Sequence, residues 1–439
     1  MPTIALGAVW ATDVDFTRRG AYTRAMAIQH ISQLRCVICG TAYPAGNRYT
    51  CDKCGVEGIL DVEYDYEKVA RTLTRHALAQ RAQWHWRYEE LIPVDFSLPL
   101  PALQVGWTPV YHADRLSEWI GMRDLYIKDD GRNPSASFKD RASSVGVMKA
   151  TEYHAKTIAA ASTGNAASSL ACFAAAIGMP AVIFVPEKAP EPKIAQLLVF
   201  GATVIKVKGT YDVTYDFCMD GCAKYGWYNR NCAINSYLVE GKKTCGLEIA
   251  EQFADMMPDW VCLSIGDGCT IAGVWKGIRE MFHLGFIKKL PRMLGVQASG
   301  CQPVATAFYS NKDLVPVDGV TRADSINCGT PRNWRKAVNA LRESKGEIVA
   351  VADAEIMEAM NKTARLSAVF GEPSGAASVA GVKRAVADGV IRKDESVCAV
   401  ITGNGLKDIK AAIETAGTPI HIPADLSALN DELKKRGVV

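Results

Sequence analysis

The feature of this 439-residue sequence that most restricts its fold is an alternation of short apolar runs with amphipathic, helix-compatible windows. The runs begin after residue 108, and eight of them have the length of buried strands, at residues 125–127, 157–160, 181–185, 203–207, 260–265, 293–297, 348–351 and 397–402. Buried strands that alternate with helices are typical of open parallel sheets covered on both faces. We therefore predict an α/β protein of two or more domains.

The overall composition argues against several classes of partner. Apolar residues make up 49% and charged residues 22% of the chain, and the net charge is +3 without a basic run, so we expect no nucleic-acid partner. No apolar stretch approaches the roughly 18 residues of a membrane span, and the first residues lack the charged region of a signal peptide. The 14 cysteines are mostly scattered through apolar segments. These features predict a cytoplasmic protein that uses neither disulfides nor a membrane.

A separate N-terminal unit at residues 31–62 carries two Cys-x2-Cys pairs, Cys36 with Cys39 and Cys51 with Cys54. A glycine follows each pair directly and permits a tight turn there. Two such turns bring four thiolates to the tetrahedral arrangement that structural zinc prefers. We predict a structural zinc ribbon, and the alternative is a degenerate ribbon whose thiols stay reduced without metal. A short helix is expected just before it, over residues 21–33.

Lys139 is the first candidate for chemistry, because it opens a helical stretch rich in Ala, Ser and Val. Pro134 cannot continue that helix backwards, so we expect the helix to begin at Ser135 or Ser137. The amine would then lie near the positive end of a helix dipole, which disfavours the ammonium form. A readily neutral amine can condense with an aldehyde, as a Schiff-base lysine must. The alternative for Lys139 alone is a solvated surface charge.

Two later strand-to-helix junctions are rich in glycine and small polar residues, which suits anion binding at a helix N-terminus. The first would accept an amino-acid carboxylate and contains Ser162, Thr163, Gly164, Asn165 and Ala166. The second would accept a phosphate and contains Gly266, Asp267, Gly268, Cys269 and Thr270. Asp267 is expected to point away from that phosphate. An ordinary helix cap and a plain Gly-rich turn are the alternatives.

A third junction, Thr402 with residues 403–405, follows the last predicted strand, and α/β sheets place ligands at such strand ends. Another loop, at residues 370–377, opens a helix of small residues. Taken together, the junctions and Lys139 describe a cavity for an aldehyde, a phosphate and a carboxylate. Pyridoxal phosphate with an amino acid has those three groups.

The chain resembles the fold-type II pyridoxal-phosphate enzymes of the tryptophan synthase beta superfamily, and most closely their threonine synthase family. The resemblance runs from about Cys36 to Asp408, and the motifs that carry it are both cysteine pairs and residues 107–110, 133–141, 162–167, 193–202, 240–244, 372–377 and 402–408. The last motif, Thr-Gly-Asn-Gly-Leu-Lys-Asp, is close to the family's Thr-Gly-His-Gly-Leu-Lys-Asp.

This resemblance implies an α/β fold of two open parallel-sheet domains with a zinc-ribbon-like extension. We expect the extension over residues 1–62 and a large, cofactor-binding domain over residues 63–129 and 246–439. A small domain over residues 130–245 would carry the Schiff-base lysine and the carboxylate loop. The resemblance also implies a homodimer.

The resemblance further assigns roles in cofactor binding. Lys139 would form the Schiff base and act as general acid and base, Phe138 would pack beside the cofactor ring, and Asn165 would hydrogen-bond its phenolic oxygen. Residues 266–270 would hold the phosphate, and backbone amides of residues 162–166 the substrate carboxylate. Thr402 would face the pyridine nitrogen. A hydroxyl there cannot keep the nitrogen protonated, which favours elimination and replacement over transamination.

One departure from the family concerns the substrate. The family carries an arginine where Leu238 stands, and Ala233 replaces a serine. Losing a phosphate-binding arginine would weaken substrate binding unless Lys193 and Lys242 compensate. The expected activity is a carbon–oxygen lyase that makes L-threonine and phosphate from O-phospho-L-homoserine and water. The alternative is β-elimination or β-replacement on another amino acid, such as serine, threonine or O-phosphoserine, and a non-catalytic scaffold is a third possibility.

Overall fold

A computed structural model describes residues 30–439. The strands in this part of the chain are β1 (Ile31–Cys36), β2 (Ala42–Tyr43), β3 (Thr50–Cys51), β4 (Gly55–Tyr64), β5 (Val110–His112), β6 (Asp124–Asp129), β7 (Ile158–Ala161), β8 (Ala181–Pro186), β9 (Thr203–Val207), β10 (Tyr228–Asn229), β11 (Trp260–Ser264), β12 (Arg292–Ala298), β13 (Glu347–Val351) and β14 (Ser396–Ile401).

The α-helices of the same part are α1 (Tyr66–Thr72), α2 (Arg75–Gln80), α3 (Asp114–Ile120), α4 (Lys139–Glu152), α5 (Asn165–Ala176), α6 (Glu191–Val199), α7 (Tyr211–Tyr225), α8 (Ser236–Phe253), α9 (Cys269–His283), α10 (Pro303–Ser310), α11 (Trp334–Glu343), α12 (Asp353–Ser367), α13 (Pro373–Ala387), α14 (Ile409–Ala416) and α15 (Leu426–Lys435). Most of the helix expected over residues 21–33 lies outside the described residues. The expectation is wrong for residues 31–33, which form the start of β1.

The strands form three sheets, and the order of their strands confirms the α/β prediction. A four-stranded parallel sheet has the order β10-β7-β8-β9, and a six-stranded sheet has the order β13-β12-β11-β14-β6-β5. The six-stranded sheet is parallel except for β5, which pairs antiparallel with β6. A small antiparallel sheet, β2-β1-β4-β3, forms the N-terminal extension. All eight apolar runs predicted as strands are strands.

Helices α4, α8 and α9 pack closely because glycines lie where their backbones meet. A Cβ atom on Gly241 of α8 would lie 2.0 Å from the carbonyl oxygen of Arg141 on α4. A Cβ atom on Gly246 would lie 2.1 Å from the carbonyl oxygen of Val274 on α9. This packing fixes the N-terminus of α4, at Lys139, relative to the N-terminus of α9, at Cys269. We predicted a domain boundary between residues 245 and 246. Helix α8 runs unbroken through both residues, and no feature there marks the boundary, which stays a prediction.

A buried ionic cluster anchors α4 below its N-terminus. The Arg141 guanidinium donates to the carboxylates of Asp130, with Nε 2.6 Å from Oδ2, and Glu248, with Nη1 2.6 Å from Oε1. Lys128 Nζ lies 3.0 Å from Glu248 Oε2. The two carboxylates and two cations balance one another, so these buried charges are compensated within the protein.

Helix α4 begins at Lys139, so the prediction of Ser135 or Ser137 is wrong. The physical reason is a turn that proline alone does not specify. Ala136 has a positive φ of 60°, and its N–H donates to the Asn133 carbonyl at 2.8 Å. Residues 135–138 are therefore an irregular segment that leads into the helix. Among residues 30–439, no helix has the length and apolarity needed to cross a membrane.

Candidate active site

Two loops distant in sequence pair directly before Lys139. The Phe138 N–H donates to the Thr402 carbonyl at 2.8 Å, and the Asn404 N–H donates to the Ala136 carbonyl at 3.0 Å. These bonds join the segment before α4 to the end of β14. Phe138, whose N–H bonds to Thr402, directly precedes Lys139. The pairing therefore holds Thr402, which is predicted to face the pyridine nitrogen of the cofactor, close to the backbone of Lys139.

The Lys139 amine has a strongly perturbed environment. Burial and, to a smaller extent, the charge of Lys242 lower the pKa of Lys139 to about 8, whereas Glu372 opposes the shift. The direction of the shift is the expected one, and its largest cause is burial, which the sequence analysis did not consider. At neutral pH this amine is therefore neutral far more often than an ordinary lysine, and condensation with an aldehyde requires the neutral form.

Asn165 is held by an acidic residue that the sequence analysis did not assign to the site. Asn165 Nδ2 donates to Glu372 Oε1 at 2.8 Å and to Ser325 Oγ at 3.4 Å. Burial raises the pKa of Glu372, while the Asn165 hydrogen bond and Lys139 oppose that rise. Glu372 lies in the loop at residues 370–377, which the sequence analysis noted because it opens a helix of small residues. No sequence pattern indicated its contact with Asn165.

A cleft opens beside this pair. It is lined by Thr163, Gly164, Asn165, Lys193, Glu372 and Lys407, among others. Lys193 forms an ion pair with Asp324 in the cleft wall, and Lys407 Nζ lies 3.1 Å from Ser168 Oγ. Of the predicted carboxylate loop, residues 163–165 line the cleft. The Ser162 hydroxyl instead accepts the Gly164 N–H at 3.2 Å.

The glycine loop at residues 266–270 forms a close-fitting turn at the start of α9. Gly268 has a φ of 94°, and a Cβ atom there would lie 2.7 Å from the Asn333 carbonyl oxygen. Asp267 Oδ1 accepts the Arg332 N–H at 2.6 Å, so a backbone group satisfies this carboxylate oxygen. The expected orientation of Asp267 away from the phosphate stays a prediction.

This loop fits the phosphate of a pyridoxal cofactor. The Asn333 side chain is fully buried, and neither its Nδ2 nor its Oδ1 has a hydrogen-bond partner among the described residues. Unsatisfied polar atoms are rare in protein interiors and call for a ligand or water. The Asn333 backbone lies against Gly268, and a phosphate held in this turn at a helix N-terminus would supply an acceptor for the unpartnered Asn333 Nδ2.

Comparisons with known proteins agree with this geometry. The family of pyridoxal-phosphate-dependent enzymes matches residues 102–403. A threonine synthase from Methanocaldococcus jannaschii is 38% identical over 91% of this chain and 99% of its own. One from Methanosarcina acetivorans is 39% identical over 91% of this chain and 98% of its own. The chain belongs to the threonine synthase family.

Solved structures agree with this family at the level of the fold. A threonine deaminase from Solanum lycopersicum aligns with a TM-score of 0.62 at 23% identity, over 70% of this chain and 82% of its own. Maize serine racemase aligns with a TM-score of 0.60 at 22% identity, over 70% and 91%. The fold of this threonine synthase family member is that of the fold-type II pyridoxal-phosphate enzymes, as predicted.

This family member has an unusual group of thiols and cations behind the glycine loop. The Cys269 thiol hydrogen-bonds to the Cys232 thiol and thereby lowers the pKa of Cys232 to about 5, helped by the charges of Lys242 and Arg230 and opposed by burial. Sequence reasoning missed Cys232 and Arg230, because no local pattern marks either residue. The group makes this end of the site electropositive.

Leu238, which stands at the position of the family's arginine, does not reach the cleft. Its side chain is fully buried, and its Cδ2 would lie 2.8 Å from a Cβ atom on Gly146 of α4. Lys242, one turn further along α8, is buried against α9, where a Cβ atom on Gly273 would lie 3.0 Å from Lys242 Cβ.

The N-terminal extension of this family member brings its four cysteines together. The Sγ atoms of Cys36, Cys39, Cys51 and Cys54 all lie within 4.8 Å of one another. Gly40 and Gly55 have φ values of 70° and 61°, which confirms the left-handed turns expected after each pair. This geometry fits a zinc-ribbon-like extension and would suit one metal ion.

Proposed function

We propose that this protein is a pyridoxal-phosphate-dependent lyase that converts O-phospho-L-homoserine and water to L-threonine and phosphate. The observation that carries the proposal is that the loop at Thr402 pairs directly before Lys139, and that the charge of Lys139 interacts with Glu372, whose pair with Asn165 lines the cleft. The similarity to threonine synthases over almost their entire length supports this choice among pyridoxal-phosphate reactions.

We assign the cofactor-binding roles as follows. Lys139 holds the cofactor's aldehyde carbon, and Phe138 packs beside its ring. The backbone N–H groups of residues 266–270 and the Thr270 hydroxyl hold its phosphate. When bound, the cofactor supplies an electron sink for negative charge that develops on the amino acid.

Thr402 and Asn165 would determine how strongly the cofactor stabilises that negative charge. Thr402 offers a hydroxyl to the pyridine nitrogen, which leaves the sink weaker than a carboxylate partner would make it. Asn165 would donate one N–H to the phenolic oxygen in place of its 3.4 Å contact with Ser325 Oγ, while Glu372 accepts the other and fixes the orientation of the amide. A weaker sink favours loss or replacement of a side-chain group over transamination.

The protein's own residues would bind the substrate and move its protons. N–H groups of residues 163–165 at the start of α5 bind the substrate carboxylate, and Lys193 lies in the same cleft. Because burial keeps the pKa of Lys139 near 8, its amine can both accept and return a proton at the substrate's α-carbon at neutral pH.

The second candidate is β-elimination or β-replacement on another amino acid, such as O-phosphoserine, serine or threonine. The burial of Leu238 against Gly146 favours it, because α8 then presents no arginine to a substrate phosphate. The pyridoxal chemistry would be unchanged, and only the side chain of the amino acid would differ.

A coupled assay separates the two candidates. Purified holoenzyme is given O-phosphohomoserine, O-phosphoserine, serine and threonine in parallel, and phosphate, threonine and keto acid are measured. Equal amounts of phosphate and threonine from O-phosphohomoserine support the first candidate. Keto acid or a replacement product from another substrate, with no threonine, would contradict it and support the second.

Four further points concern the rest of the molecule. We propose that the four cysteines of the extension hold a structural zinc ion, since a site of four thiolates leaves no open position for catalysis. The homodimer implied by the resemblance stays a prediction, as does the cytoplasmic location. The division into domains at residues 62, 129 and 245 is likewise proposed.

A further inference from the structure

Cys232 and Cys269 are two thiols that meet between the two parallel sheets. Cys232 lies in the loop that follows β10 of the four-stranded sheet. Cys269 is the first residue of α9, which follows β11 of the six-stranded sheet. The two thiols hydrogen-bond to each other. The proposed reaction assigns no role to either sulfur atom, because only the backbone of Cys269 belongs to the phosphate cradle.

The charges around the two sulfur atoms make them chemically different. The Cys232 thiol hydrogen-bonds to Lys242 and also lies near Arg230. Neighbouring cations stabilise a thiolate, which is the form of cysteine that attacks an electrophile. The Cys269 thiol instead donates to Asp267 Oδ2 at 3.9 Å, and its hydrogen bond to Cys232 and its burial raise its pKa. The pair thus contains one thiolate and one protonated thiol at neutral pH.

The two thiols also differ in their access to small molecules. Asn231 Oδ1 accepts the Ala161 N–H at 3.1 Å, which ties the loop to β7. The Asn231 carbonyl accepts the Asn235 N–H at 3.2 Å, so a turn encloses Cys232 and fixes its position. Cys232 is partly exposed, whereas Cys269 is only 1% exposed. A small oxidant can therefore reach Cys232, and Cys269 can react only with its neighbour.

We propose that Cys232 and Cys269 are a redox-active pair that forms a reversible disulfide when Cys232 reacts with a hydroperoxide. Cys232 is the attacking thiolate, and Cys269 is the thiol that resolves the oxidised sulfur. This modification site goes beyond the proposed lyase function and does not depend on which of the candidate substrates is used. The disulfide joins the two parallel sheets only under oxidation, so it has no part in the fold of the reduced protein.

The oxidation proceeds in two steps that together transfer two electrons to the hydroperoxide. In the first step, the Cys232 sulfur attacks one peroxide oxygen, an S–O bond forms and the O–O bond breaks. The leaving oxygen takes a proton from water and departs as an alcohol, or as water from hydrogen peroxide. In the second step, Cys269 attacks the sulfenic acid, an S–S bond forms and the S–O bond breaks. The departing hydroxyl takes the Cys269 proton and leaves as water. A dithiol reverses the reaction by returning two electrons and two protons.

The disulfide would act on Lys139 through charge. Burial and the charges of Lys242 and Arg230 lower the pKa of Lys139, whereas the charges of Glu372 and Cys232 oppose that decrease. A disulfide carries no charge, so oxidation removes the contribution of Cys232. The pKa of Lys139 should then fall. Because only the neutral amine captures an aldehyde, the pH midpoint for cofactor capture by the apoprotein should fall with it.

The experiment treats purified holoenzyme with hydrogen peroxide, blocks the remaining thiols and identifies linked peptides by mass spectrometry. A parallel sample contains a 1,3-dione that traps sulfenic acids. Wild type is compared with Cys232→Ser, Cys269→Ser and Cys172→Ser, the last of which changes a buried cysteine outside the pair. The pH midpoint of cofactor capture is measured by stopped-flow absorbance on reduced, oxidised and re-reduced apoprotein.

We expect oxidised wild type and Cys172→Ser to contain one peptide pair joined through Cys232 and Cys269, which dithiothreitol separates. Cys269→Ser should instead carry the dione on Cys232, because no resolving thiol remains, and Cys232→Ser should show neither product at the pair. Peroxide should lower the capture midpoint of wild type reversibly and leave that of Cys232→Ser unchanged. If Cys269→Ser does not fold, wild type and Cys232→Ser still test the pair.

The inference is overturned if oxidised wild type lacks the Cys232–Cys269 peptide, or if the dione reacts with Cys269 in Cys232→Ser. A capture midpoint that stays at the reduced value in fully linked wild type would contradict the effect on Lys139. Failure of the proposed function looks different, because it is the absence of threonine in the product assay. The peptide masses and the capture midpoint require no substrate.

Discussion

Arg230 and Leu238 meet over the same glycine of α4. A Cβ atom on Gly146 would lie 2.8 Å from Leu238 Cδ2 and 3.8 Å from Arg230 Cγ. Leu238 and the aliphatic stem of Arg230 therefore share one apolar space, while the guanidinium extends to Ser143, three residues nearer the start of α4. The Arg230 guanidinium therefore reaches α4 next to Leu238, the α8 position at which the resemblance to the family predicts an arginine.

Replacing Leu238 with Arg should destabilise the protein rather than improve substrate binding. The new guanidinium would be buried over Gly146 beside Arg230 without a carboxylate, at a cost of about 3 kcal/mol or more. Leu238→Met, which preserves volume, should cost about 1 kcal/mol. Urea unfolding of the apoproteins measures both values. An arginine variant as stable as wild type would show that position 238 opens into the cleft.

Lys139→Ala should abolish product formation and the visible absorption band of lysine-bound cofactor, because no other amine takes its place. The matched control is Lys149→Ala on the same helix, which removes a lysine ten residues away that pairs with Glu152. Turnover and absorption spectra are recorded for both variants. Turnover at the wild-type rate with a normal spectrum in Lys139→Ala would refute the assignment of this lysine.

The pKa of Lys139 should respond in opposite directions to its two charged neighbours. Lys242→Gln removes a like charge and should raise this pKa above about 8, whereas Glu372→Gln should lower it. Because only the neutral amine captures an aldehyde, the pH midpoint for cofactor capture by apoprotein should move up for Lys242→Gln and down for Glu372→Gln. Stopped-flow absorbance measures the midpoints, and shifts in the same direction would contradict this account.

The two fully buried arginines of the site region should differ in their effect on stability. Arg141→Met leaves the Asp130 and Glu248 carboxylates with only Lys128 as a counterion, and should destabilise the protein by about 3–5 kcal/mol. Arg230→Met leaves no carboxylate unpaired and should cost much less in the apoprotein. Urea unfolding of both variants tests this, and equal losses would mean that Arg230 has a structural counterion.

The N-terminal cysteines should matter for folding and little for catalysis. Changing Cys36 and Cys54 to Ser removes two of four thiolates, so the extension loses its metal and the folding yield falls more than kcat does. Metal content is measured by mass spectrometry, with one zinc expected per wild-type chain. Cys172→Ser, a buried cysteine outside the cluster, is the control. Zinc-free protein of unchanged stability would refute the zinc proposal.

The sequence by itself determined the elements whose cause is local. Apolar runs bounded by glycine or polar residues specify the eight predicted strands, since a strand buried on both faces needs such a run. The glycines after each cysteine pair specify the left-handed turns that gather the four thiols. The glycine loop was also identifiable, because a backbone turn depends on neighbouring residues.

Only the tertiary structure decided which distant residues meet. The start of α4 depends on a positive φ at Ala136 and on pairing with the loop after β14, more than 260 residues later. The contact of Asn165 with Glu372 spans 207 positions, and no pattern near Arg230 indicates that its guanidinium meets the Ser143 hydroxyl. The physical reason is that pairing and compensation of buried charge depend on what the folded chain brings within a few ångströms, and neither local propensity nor hydrophobic periodicity contains that information.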